Sequence, residues 1–293
     1  MEYFFGEYFV YCIVSGHRIE NPHKYEIKKM NIRKLTYLLL ILSFYSCTAQ
    51  MKTINDENWT KIVTETKTIN NITYYFPSEV EIPRRNLAIA ECQKAIEENL
   101  KLIGETEFNN KMDVEFLKSR KEMLKYGGMA AQGLAIPDSD VLFSLLKDSG
   151  SPIKHEMMHM ITMYKWEAPP TSSTWMNEGL ATYSGGTCFK YSLEEIYKYF
   201  IQSEKLISLD KLTQDFYGNP DMIAYTQSAF VCKFLIDNYG ISKFKELWKS
   251  GYQKLNEIYG FDSQTLEQTL KDYINRKYPT NINFDWEEFN KGC

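Results

Sequence analysis

The chain has 293 residues, of which 44% are hydrophobic, 15% aromatic and 25% charged, which is ample material for a packed core and excludes a disordered chain. A formal net charge of −4 leaves no basic surplus to gather phosphates, which argues against a nucleic-acid partner. No repeat recurs at a fixed period and no block of five like charges occurs, so solenoids and charged tails are excluded and one medium-sized domain is expected.

From Met30 the chain reads MNIRKLTYLLLILSFYSCTAQ, with Arg33 and Lys34 at a basic start, an apolar stretch from Leu35 to Tyr45, and small residues around Cys47 to Ala49. That order is the order of a secretory signal, and the 11 residues of the apolar stretch fall short of the roughly 20 that cross a bilayer. Export is therefore expected, with no transmembrane helix in the mature protein. Residues 1–29 have no place before such a signal, so translation is expected to begin at Met30, with 1–29 a non-native upstream extension, 30–49 the signal and 50–293 the mature domain. Two processing routes stay open. FYSC resembles a lipoprotein cleavage box, which would place a lipid anchor on Cys47; cleavage after Ala49 would release a soluble form. The destination is accordingly periplasmic, secreted or lipid-anchored to a bacterial envelope. Cys92, Cys188, Cys232 and Cys293 of the mature chain are too few and scattered for a disulfide framework, and none has CxxC spacing.

Within the domain, WTKIVTETKTINNITYYFP (59–77) is rich in Thr, Ile, Val and Tyr around a turn-like Asn70–Asn71 and predicts a hairpin. Residues 84–104 predict an amphipathic helix, with Ile89, Cys92, Ile96, Leu100 and Ile103 at steps of three and four between Pro83 and Gly104. MDVEFL and GLAIPDSDVLFSLL predict short strands, the second interrupted at Pro137 and Asp138. Everything after Ser151 reads as helical: Ser151 and Pro152 suit a cap and a first helical position, and Ser192 with Glu195 makes a capping box. A sheet-bearing first half and a helical second half make an α+β domain.

The first of those late helices contains HEMMH, residues 155–159. On a helix, residues four apart share a face, so His155 and His159 converge on one point and can hold a single zinc ion, while Glu156 stands beside it where a general base belongs. The competing reading, a helix of satisfied histidines, is weakened because the chain has four histidines in all and His17 and His23 precede Met30. A hydrolytic zinc needs a third protein ligand and an open position. With eighteen residues between it and His159, Glu178 is offered by TWMNEGLATYSGG, and the loop EAPPTSST (167–174) allows its helix to fold back on the first.

HExxH-x18-E, with Trp175, Asn177, Glu178, Gly179 and Ala181 in the order WxNEGxA, resembles the gluzincin zinc metallopeptidases and in particular their aminopeptidase N-like branch. The resemblance covers roughly residues 127–250. It implies a zincin-like, peptidase MA-like fold, one zinc per chain on His155, His159 and Glu178, Glu156 as general base, and a peptide or protein substrate. It also implies a tyrosine that donates to the oxyanion; Tyr225, fifteen residues before Gly240, matches, with Tyr183, Tyr217 and Tyr239 as alternatives. One departure bears on substrate: where that branch carries GxMEN, with a glutamate for the substrate's free amine, YGGMAAQGLAIP has Ala130 and Ala131 after Gly127, Gly128 and Met129. Ala130 cannot anchor an ammonium group, which points away from strict aminopeptidase action and leaves endopeptidase action open. Two rival readings are a zinc-binding scaffold without turnover and an envelope structural protein whose motif is accidental.

Overall fold

The computed structural model describes residues 63–147, 151–187 and 190–292. The upstream segment 1–29, the signal at 30–49, and Cys47, Cys188 and Cys293 lie outside the described residues. The compact unit Asn58–Cys293 is an α+β fold, with a five-stranded sheet in its first half and helices almost throughout its second.

The turn at Asn70–Asn71 closes an antiparallel hairpin of β1 (Val63–Ile69) and β2 (Ile72–Pro77), and Asn70 takes the left-handed φ of 53° that asparagine tolerates. Helix α1 (Ile82–Ile103) follows and buries Ala88, Ile89, Cys92, Ala95, Asn99, Leu100 and Ile103, one face at helical spacing; Gly104 ends it at φ 73°. Strand β3 (Met112–Leu117) then lies parallel to β2. The interruption at Pro137–Ser139, a single 3-10 turn, separates β4 (Gly133–Ile136) from β5 (Val141–Leu145). The sheet order is β1-β2-β3-β5-β4, with β5 parallel to β3 and β4 an antiparallel edge strand.

Alternation along the strands divides the sheet's side chains between two faces. Tyr74, Phe76, Val114, Phe116 and Leu142 join the main core, and the Phe76 and Phe116 rings stack at 4.7 Å. Leu117, Phe143 and Leu145 face the other way, under a helix that the sequence pattern did not lead us to expect, α2 (Arg120–Gly127), which supplies Met123 and Tyr126. Its signal was present in Ser119 and Glu122: the Ser119 hydroxyl accepts from the Glu122 N–H, and Glu122 in turn accepts from the Lys118 N–H at 2.9 Å.

The helical half begins with α3 (Ile153–Trp166). Its start lies one residue later than expected: Pro152 occupies the cap and the Ser151 hydroxyl accepts from the Ile153 N–H at 3.4 Å. The proline-containing loop and a 3-10 turn at Thr171–Ser173 return the chain into α4 (Thr174–Gly185). Helices α5 (Leu193–Gln202), with the Ser192–Glu195 capping box in place, and α6 (Leu209–Gln214) lead to α7 (Asp221–Tyr239), whose residues from Thr226 to Cys232 are all buried. Helices α8 (Ile241–Ser250), α9 (Leu255–Tyr259), α10 (Ser263–Lys277) and α11 (Trp286–Phe289) complete the half. Among the described residues no helix is long and apolar enough to cross a membrane.

Two contacts decide how α4 sits. A Cβ on Gly179 would stand 2.7 Å from the backbone carbonyl of Ser228 and 2.8 Å from the Cys232 sulfur, so only glycine lets α4 approach α7 this closely. On its other side, buried Asn99 of α1 donates to the Lys154 carbonyl of α3 at 3.0 Å and accepts from the Ser184 hydroxyl of α4. One amide thus ties together the two helices that carry the motif residues.

Candidate metal centre

Helix α3 projects His155 and His159 from successive turns, and their Nε2 atoms lie 3.1 Å apart. From α4, Oε2 of Glu178 reaches 3.4 Å from each Nε2. Among the described residues these three are the group of nitrogen and oxygen ligands that converges in this way. Tetrahedral zinc with bonds of about 2.0–2.1 Å has ligand–ligand edges of roughly 3.3 Å, so the spacing fits one such ion with a coordination position left over. The Asn177 side-chain oxygen lies 2.9 Å from Nδ1 of His159 and accepts its proton, so that Nε2 is the ring nitrogen turned toward His155 and Glu178. Two imidazoles and a carboxylate are the donor set that zinc takes in hydrolytic sites.

Electrostatics tie the group together. Burial opposes charge on Glu178, yet His159 and His155 beside it hold its carboxyl well below the usual carboxylate range. Burial likewise opposes charge on His159, but Glu178, Glu156 and the Asn177 contact push its imidazole up to about 9. A divalent cation held here would compete for the position that this proton occupies, so its uptake would release protons.

Glu156 stands between the ligand set, whose His155, His159 and Glu178 it feels electrostatically, and β4. A Cβ on Gly133 would stand 2.5 Å from its Cγ and 2.8 Å from its Oε1, so the edge strand reaches the carboxylate only because residue 133 lacks a side chain. Burial raises the Glu156 pKa; the two histidines and a backbone hydrogen bond from Ala135 oppose that rise. A carboxylate whose pKa burial raises while neighbouring imidazoles oppose the rise is suited to accept a proton.

The four tyrosines considered from sequence separate here. The Tyr225 ring lies 6.3 Å from the His155 ring and 5.0 Å from the buried Phe216 ring. Tyr239 packs among Phe234, Tyr259 and Phe261, and the Tyr183 ring faces Lys233 at 6.0 Å. Tyr217 donates to Glu178 Oε1 at 2.8 Å. Ala130 lies in the segment between α2 and β4.

Three contributors lay beyond the reach of the sequence pattern. Asn177 entered it only as a motif letter, Gly133 as the first residue of a predicted strand, and Tyr217 as a stand-in for Tyr225. Asn177 directly precedes Glu178, and a polar residue beside a ligand is the one local signal that could have marked it.

Residues 127–276, about half of the chain, match the family described as the Peptidase MA superfamily. A comparison with curated proteins finds no match.

Proposed function

The chain belongs to the Peptidase MA superfamily and carries a metallopeptidase-like domain, and on that premise we propose that it is a zinc-dependent metallopeptidase that hydrolyses peptide bonds. The observation that supports this reading most directly is the convergence of His155, His159 and Glu178, with Glu156 beside them against the sheet edge.

When bound by those three residues, zinc supplies a Lewis acid that polarises a carbonyl and acidifies water. Glu156 takes the proton from the water whose oxygen bonds to the scissile carbonyl carbon, and returns it to the amine nitrogen as the carbon–nitrogen bond breaks. The Tyr225 hydroxyl donates to the former carbonyl oxygen as charge builds on it; burial keeps that hydroxyl protonated. Asn177 holds His159 in the required tautomer. Endopeptidase action is preferred over removal of single amino-terminal residues, because no carboxylate stands at Ala130.

We further propose that the protein is exported, on the strength of the leader beginning at Met30, with Cys47 as a candidate point of lipid attachment. Amino-terminal sequencing of the native protein tests this: a start at Cys47 or Gln50 supports it, and any peptide from Tyr3 to Lys28 removes it.

The test of function is digestion of a diverse peptide mixture with and without a chelator, sequencing the new ends. Metal-dependent fragments are expected from the unsubstituted protein, and none from Glu156→Gln, which retains its zinc. A Glu156→Gln protein that cleaves at full rate overturns the assignment.

A further inference from the structure

Glu178 has two oxygens with different surroundings. Oε2 stands 3.4 Å from both imidazole Nε2 atoms, whereas Oε1 accepts the Tyr217 hydroxyl at 2.8 Å. The carboxylate is 8% exposed, so water does little to satisfy the second oxygen, and a buried carboxylate with one oxygen unmet is costly.

Tyr217 reaches it from the turn between α6 and α7. Its ring is largely exposed, at 59%, yet the backbone beneath is held. Phe216 is buried against the Tyr225 ring, the Gly218 N–H donates to the Asp215 carboxylate at 3.0 Å, and the Asn219 side chain donates to the Asp215 carbonyl. The turn thus presents the Tyr217 hydroxyl from a fixed base. Glu178, at the other end of the bond, sits on α4, which Gly179 locks against α7.

We propose that Tyr217 is a positioning residue for the metal: its hydroxyl holds Oε1 of Glu178, so that Oε2 alone faces the point shared by His155 and His159. Without that bond the carboxylate is free to rotate and offer either oxygen or both, which changes the coordination number and weakens the site. Tyr217 and Tyr225 then have separate tasks, one directed at the ligand and the other at the substrate. This rests on the proposed zinc reading, but its readout is affinity, and it stands whether or not the chain cleaves peptides.

The test is competition of metal-stripped full-length protein against a chromogenic zinc chelator. For Tyr217→Phe the zinc Kd is expected to rise about 10- to 100-fold, while the metal-free protein stays folded with a thermal transition lowered by only about a few degrees. Tyr225→Phe is expected to keep the unsubstituted Kd and, at saturating zinc, to lose about 100-fold in turnover. With Co2+ in place of zinc, Tyr217→Phe is expected to shift the visible absorption bands, which report the coordination number. A Kd within twofold of the unsubstituted protein, or an unchanged cobalt spectrum, overturns the proposal. No zinc uptake by the unsubstituted protein overturns the metal reading itself, and the role of Tyr217 with it.

Discussion

Two glutamates in different regions of this molecule are buried to almost the same degree, Glu178 at 8% exposure on α4 and Glu115 at 5% on β3, yet their acidities move in opposite directions. Glu178 faces two imidazoles and a tyrosine hydroxyl, and its carboxyl is held far down. Glu115 lies on the sheet face away from the main core, level with Tyr75 and Phe143; its Oε2 has no hydrogen-bond partner, and burial with the nearby Asp113 charge pushes it from 4.5 up to about 9. Burial is common to both, so the partners decide the charge state. The helix pair holds its polar groups as a prepared set, and the sheet holds its carboxylate alone.

The largest expected effect comes from breaking the prepared set at its support. Asn99→Ala removes an acceptor from Ser184 and a donor from the Lys154 carbonyl, on the two helices that carry His155 and Glu178. A loss of about 3 kcal/mol is expected in urea unfolding, with weaker zinc binding; a loss below about 0.5 kcal/mol would show that the two helices need no tie. Next comes the point where sheet and helix pair meet. Gly133→Ala drives a methyl group into Glu156 and is expected to lower turnover about 100-fold while zinc content stays stoichiometric. Unaltered turnover would mean the strand yields to the carboxylate, which the close approach of Gly133 argues against.

Glu115 predicts a gain. The folded chain keeps its proton between pH 4.5 and about 9 where the unfolded chain has released it, so stability present in acid is lost as pH rises through that window. Glu115→Gln removes the loss and is expected to stabilise the protein by on the order of 2 kcal/mol at pH 8, and by little at pH 4. Equal effects at the two pH values would mean that the carboxyl titrates normally. The smallest effect is at the junction of α3 with the loop to α4, where Glu167 takes φ 68° and ψ 172°, a region that favours glycine. Glu167→Gly is expected to raise stability by about 1 kcal/mol, read as a rise in Tm.

The contrast also sorts what could be read in advance. HEMMH was legible because a helix turns every residue by a fixed angle, so local spacing alone puts His155 beside His159, and NEGLA because its residue order and its distance from HEMMH resemble a known family. The hairpin turn, α1, the break at Pro137 and the capping box at Ser192 were legible for the same local reason. Helix α2 was overlooked although Ser119 and Glu122 carry its start signal, because eight residues give little periodicity to count. Gly133 had no signal of its own: its importance lies in a carboxylate 23 positions away that only the folded chain brings against it.

By itself the sequence determined the element types, the histidine pair on one face of a helix, and the chemistry that two histidines and a following glutamate allow, since these follow from rotation per residue and side-chain type. Tertiary structure alone decided which oxygen of Glu178 faces the imidazoles, that Tyr217 takes the other, and that Asn99 joins α3 to α4. Those facts depend on contacts between residues up to 85 apart in the chain, and no periodicity encodes which distant side chain completes a buried polar group's hydrogen bonds.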